Sequence, residues 1–176
     1  MNLAMLVLRV VVGALFVGHG SQKLFGWLGG HGVQGTGSYF ESQGMRPGKP
    51  MAIVAGLSEV VGGLLFACGL LTPVGAALLT AVMLTAIWTV HRAHGLWNAD
   101  GGFEYNLVLG AIAFAVTAAG PANWSLDHAW SIDLSGYGWA LAELGAGLLG
   151  CLVALAASAL TARRGPHHTG AVTAGG

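Results

Sequence analysis

The residues with chemical potential are those that do not belong where they stand. Arg9, His19, Lys23, Glu59, Glu104 and Glu143 lie within or at the edges of long apolar runs, and Gln22, His91 and Asn106 lie beside them. An ionisable group at membrane depth costs a few kcal/mol or more, so it calls for a partner or a task. His19, Lys23 and Asn106 are candidate donors to carbonyl oxygens, and Glu59 and Glu104 are candidate proton relays. Gln22 and Lys23 follow His19 by three and four residues and therefore share its helix face. His91 and His94 can share a face as well, but a metal needs further ligands, and no metal site is expected. Cys68 and Cys151 form no CxxC motif, and their depths differ by roughly 15 Å at helical rise, too far for an intramolecular disulfide.

The elements that position these groups follow from composition. Of 176 residues, 55% are hydrophobic and only 8% charged, against about 25% charged in a soluble domain. Apolar runs over 3–24, 51–71, 73–90, 104–120 and 138–160 are of membrane-spanning length. The predicted fold is all-α: a polytopic membrane helix bundle in one domain, surrounded by lipid, with a polar, disordered tail over 163–176 on the cytoplasmic side. Thr72-Pro73 separates the second and third spans, with proline at a tolerated early helix position. Zero formal charge argues against nucleic-acid binding. The first run lacks a basic leader and carries Arg9, so it reads as a retained span rather than a cleaved signal.

Charge asymmetry sets the orientation. Lys23, Arg46, Lys49, Arg92, Arg163 and Arg164 all fall on one side of a five-span chain, and the opposite loops hold no Lys or Arg. The positive-inside rule then predicts an outside N-terminus and an inside C-terminus in the bacterial cytoplasmic membrane. Trp27, Trp88 and Trp97 fall near the inner edge and Trp124, Trp130 and Trp139 near the outer, as interfacial anchors do.

Depth suggests partners. Arg9 lies roughly 9 Å and Glu143 roughly 7 Å from the outer edge, so a buried ion pair between the first and fifth spans is expected, with an anion or proton path from the outside as the alternative. His19, Gln22, Lys23, Glu59, His91, Trp97, Glu104 and Asn106 occupy the inner half and are expected to face one cavity open to the cytoplasm. Small residues at Ala142, Ala146, Gly150, Ala154 and Ser158, and at Ala55, Gly56, Gly62 and Gly63, are expected to be packing faces. Packing within one chain is favoured over a homo-oligomer interface.

These residues carry a family resemblance. Leu8-Arg9, then Gly18-His19-Gly20-Ser21-Gln22-Lys23-Leu24-Phe25-Gly26, then Ala55-Gly56-Leu57-Ser58-Glu59 with Gly62-Gly63, stand in order with Gly69-Leu70-Leu71-Thr72, His91, Gly95-Leu96-Trp97-Asn98 and Gly101-Gly102-Phe103-Glu104-Tyr105-Asn106-Leu107. Over roughly residues 3–126 the chain resembles the DoxX family of small bacterial membrane proteins. The resemblance implies a four-helix core, to which the fifth C-terminal transmembrane helix and the tail are additions. It also implies a membrane subunit linked to quinone-dependent oxidoreductases and to oxidant or thiol stress, with His19, Gln22, Lys23, Glu59, Trp97, Glu104 and Asn106 as its site.

The leading functional expectation is a quinone-interacting subunit that holds no covalent cofactor. No dinucleotide fingerprint or cysteine set for an iron–sulfur cluster is present, so electrons would come from soluble redox partners on the cytoplasmic side. The alternatives are a non-enzymatic scaffold that docks such enzymes, and a small transporter or channel.

Overall fold

The computed structural model describes residues 2–163. Beyond Arg163, the tail expected to be disordered lies outside the described residues. Among the described residues, seven α-helices follow in chain order: α1 (Asn2–Phe25), α2 (Gly32–Ser42), α3 (Gly48–Cys68), α4 (Thr72–Ala86), α5 (Glu104–Ala119), α6 (Leu126–Ala129) and α7 (Tyr137–Arg163). A wider π turn over Ile87–His91 and a tight 3-10 turn over Arg92–His94 prolong α4. There is no strand among the described residues.

Among the described residues, four helical segments are long and apolar enough to cross a membrane: Asn2–Phe25, Gly48–Cys68, Thr72–His94 and Tyr137–Arg163. With 16 residues, α5 is shorter, roughly 24 Å at helical rise. It nevertheless traverses the bundle, because both its ends are fixed. Glu104 N donates to Leu96 O in the loop after α4, and Gly136 N, just before α7, donates to Ala118 O. Segment 120–136 in turn packs on the α3–α4 turn, where Asp127 N donates to Gly69 O. One face of the bundle therefore carries Asn2, the α3–α4 turn and segment 120–136. The other carries α2, loop 95–103 and Arg163. The four-helix core plus C-terminal α7 stands as expected.

Close helix contact replaces the hydrophobic driving force that lipid cannot supply. α1 and α3 cross through glycines: a Cβ on Gly63 would lie 2.6 Å from Gly13 O, and one on Gly20 would lie 2.6 Å from Gly56 O. Phe16, Phe66, Leu79, Leu109 and Val116 fill the core between α1, α3, α4 and α5. α7 packs on α4 and α5. Only 17% of its apolar window is buried, against 33% for α3, so it lies on the outside of the bundle. Ser158 ties its end to the α2–α3 connection: its hydroxyl accepts from Arg46 N at 2.8 Å and donates to Gly44 O at 3.3 Å.

Two sequence expectations change here. The glycine face of α3 holds, with Gly56, Gly62 and Gly63 all buried. The stripe on α7 holds only toward its C-terminal end: Ala142 and Ala146 are exposed, whereas a Cβ on Gly150 would lie 3.0 Å from the Ala81 Cβ and Ser158 is buried, along with Ala140, Glu143, Gly147 and Cys151. A strict four-residue spacing drifts about 40° per step at 3.6 residues per turn, so it cannot stay on one face of a straight helix. Also, α2 lies inside what reads as a loop. Its glycines weaken its helix signal, but packing against α3 holds it, and Glu41 Oε1 accepts from Gly48 N at 3.0 Å. Both cysteines are free thiols, Cys68 exposed and Cys151 buried.

Candidate functional site

The glycine contacts between α1 and α3 bring two charges together. Lys23 Nζ donates to both carboxylate oxygens of Glu59, at 2.8 Å and 2.6 Å. Glu59 is 2% exposed. It is the acceptor of the only ion pair among the described residues.

One turn before Lys23, toward the outward flank of α1, His19 and Gln22 make contacts of their own. His19 Nδ1 lies 3.2 Å from Gln22 Oε1, and Gln22 Nε2 donates to Leu28 O at 3.1 Å. The second bond orients the amide, so Nδ1–H donates to Oε1 and the ring's Nε2 is left as an acceptor. His19 and Gln22 close one end of an open groove of about 530 Å³, whose walls are Val11, Ala14, Leu15, Gly18 and Leu28.

The remaining candidates serve other parts of the chain. His91 Nδ1 lies 2.7 Å from Gly101 O, and Glu104 Oε2 accepts from Asn98 N at 3.0 Å. These contacts brace loop 95–103, from which Trp97 projects, exposed. Asn106 is buried, its Nδ2 3.3 Å from Met83 Sδ. Among the described residues, no hydrogen bond or ion pair joins His19, Gln22, Lys23 or Glu59 to His91, Trp97, Glu104 or Asn106. The eight residues divide laterally, because α1 packs chiefly on α3 whereas α5 packs on α4 and α7.

The same lateral division removes the expected Arg9–Glu143 ion pair. Arg9 is fully buried and donates from Nη2 to Trp124 O, while Glu143 Oε1 accepts from the Thr80 hydroxyl. Equal depth on α1 and α7 did not make them neighbours, since each helix packs on a different part of the bundle.

Asp127 was not expected to matter. It is 1% exposed. Its carboxylate accepts from Leu71 N at 2.7 Å, Thr72 N at 3.0 Å and the Thr72 hydroxyl at 2.7 Å. It thus caps α4 from a distant segment, filling the place that Leu71, with no side-chain acceptor, leaves empty. Leu71 directly before Thr72-Pro73 is the signal that a cap must come from elsewhere. Gly69, at φ +61, leaves room for the Arg9 guanidinium, which any Cβ would displace. Asp127→Ala is expected to strand the two backbone donors and lower stability by about 2–3 kcal/mol. Asp127→Asn should recover part of the loss. Thermal unfolding in detergent reads both, and an unchanged melting temperature in Asp127→Ala would refute the capping role.

The helices and their buried polar contacts define a multi-pass helical membrane protein. The DoxX family model matches residues 4–92, and the chain belongs to the DoxX family. That match contains Arg9, His19, Gln22, Lys23, Glu59 and His91 and stops before Trp97, Glu104, Asn106, Asp127 and Glu143. A Bacillus subtilis protein provisionally named as an oxidoreductase, CatD, is 35% identical over 115 residues, covering 65% of this chain and 78% of its own length. An uncharacterized Haemophilus influenzae protein is 33% identical over 130 residues, covering 69% of this chain and 86% of its own. No solved structure matches the chain.

Proposed function

We propose that this DoxX-family protein is a quinone-interacting membrane subunit of a redox system. In this reading it sits in the bacterial cytoplasmic membrane with its N-terminus outside, and soluble partners meet it on the cytoplasmic face. One observation carries the reading: an imidazole exposed on the outward flank of a spanning helix. His19 lies six residues from Phe25, roughly 9 Å from the helix end. Polar groups at that depth ordinarily face the bundle interior. This one faces an apolar groove whose open side is the lipid, so the ligand that suits it arrives through the lipid. A quinone ring fits against Val11, Ala14, Leu15 and Gly18 while its tail stays in the acyl chains.

The hydrogen-bond network refines the chemistry. With Nδ1–H committed to Gln22, His19 Nε2 accepts a proton and does not donate one. That suits a hydroquinone hydroxyl better than a quinone carbonyl. Lys23 and Asn106, expected as donors, are engaged by Glu59 and Met83, and the Glu59 carboxylate is held by Lys23. The working pair in this reading is His19 and Gln22. The oxidoreductase name of the Bacillus relative supports a redox setting.

Photolabelling in proteoliposomes with a photoreactive ubiquinone analogue tests the reading. Label should concentrate on residues 11–22, and unlabelled quinol should compete better than quinone. Gly18→Trp, which fills the groove, should remove most of the label, and His19→Ala should erase the preference for quinol. Label spread evenly over the lipid-facing helices would end the proposal.

A further inference from the structure

Glu143 has no part in the groove, the ion pair or the loop braces, and it lies outside the family match. It is 2% exposed on the buried side of α7, six residues from Tyr137 and so roughly 9 Å from the helix end. Its Oε1 accepts from the Thr80 hydroxyl, and its Oε2 has no hydrogen-bond partner. One turn along, Gly147 rests directly on Thr80: a Cβ there would lie 2.6 Å from Thr80 Cγ2. This close approach seats α7 on α4 beside the carboxyl.

Among the described residues, no cation pairs with it. α4 has no titratable residue between Thr72 and Ala86. α5 has only Glu104 and Tyr105, both at its opposite end. α7 itself offers Tyr137 at its start, Cys151 two turns on and Arg163 at its far end. Arg9, the cation nearest in depth, donates from Nη2 to Trp124 O; its Nε and Nη1 have no hydrogen-bond partner, and no ion pair joins it to Glu143. An isolated carboxylate in a low-dielectric site is so costly that such a group neutralises itself. One hydroxyl donor does not offset that cost.

We propose that Glu143 is a proton-binding site within the bilayer, a carboxyl that takes up and releases one proton between α4 and α7, with the Thr80 hydroxyl as its partner. The ligand is a proton and not a metal cation, because Glu143 and Thr80 supply too few oxygens for a hard cation, which takes roughly six or more. The site serves the half of the bundle opposite the Lys23–Glu59 pair, where no other carboxyl stands inside a spanning helix.

Dicyclohexylcarbodiimide, which partitions into lipid and reacts with protonated carboxyls, reads this out on the full-length protein in liposomes. The carboxyl O–H adds across one C=N bond of the reagent: oxygen bonds to the central carbon and the proton goes to nitrogen. An oxygen-to-nitrogen acyl shift then gives a stable N-acylurea, and nothing leaves. Peptide mass spectrometry should find the adduct on Glu143 and not on Glu59, whose oxygens are held by Lys23. Labelling should fall with rising pH, approaching about tenfold per pH unit once the proton is lost. It should persist to higher pH in Thr80→Val, which loses the hydroxyl that stabilises the anion. Glu143→Gln should abolish it. Wild-type protein supplies the decisive result, so a variant that misfolds leaves the test intact. An unlabelled Glu143, equal labelling by a water-soluble carbodiimide, or protection by sodium would each overturn the proposal.

Discussion

Lys23→Met is expected to destabilise the protein by about 3–5 kcal/mol, the cost of leaving one charge of a buried pair without its partner. Glu59 is 2% exposed and takes both of its short hydrogen bonds from Lys23, so it cannot turn to water. Glu59→Leu should cost less, because the flexible Lys23 stem can carry its ammonium toward the membrane edge. The double variant Lys23→Met with Glu59→Leu should recover most of the loss, since it leaves no charge to desolvate. Reversible unfolding of the four proteins in micelles measures the cycle. Strictly additive losses would show that the pair contributes no coupling. Glu59→Gln should lower stability and leave photolabelling of the α1 groove, per folded molecule, unchanged.

Gly63→Ala is expected to lower stability by about 2–3 kcal/mol, although alanine is the better helix former by about 1 kcal/mol. The sign is the test. A Cβ at this position falls 2.6 Å from Gly13 O and 3.1 Å from the Phe16 Cβ. Neither contact is with the end of a flexible side chain, so the helices themselves must part. Gly63→Leu should go further and prevent native assembly of α1 on α3, taking the Lys23–Glu59 contact with it. Gly145→Ala, where a Cβ meets open space, is the matched control and should be neutral or slightly stabilising. Thermal unfolding in the same detergent compares them. A stabilised Gly63→Ala would mean that the helices do not approach as closely as the structure places them.

The sequence alone determined the environment and the architecture. Charge depletion and five apolar runs broken by proline and glycine required a helical membrane bundle, because a chain in lipid must satisfy its backbone within its own helices. It also indicated depth, because residue number along a spanning helix is height along its axis. Tertiary structure decided which groups at one depth touch. Arg9 and Glu143 stand on helices that are not packed partners, and Glu104, expected beside Lys23, braces a loop instead. The α7 stripe held only in part for a related reason, since spacing fixes a face only when its period matches the helix. Asp127 became visible only when segment 120–136 folded onto the α3–α4 turn, where a leucine left two backbone donors uncapped. A one-dimensional hydropathy pattern records distance along the bilayer normal. Neighbours within the membrane plane depend on which helices can approach closely, and glycine against backbone carbonyl settles that in three dimensions.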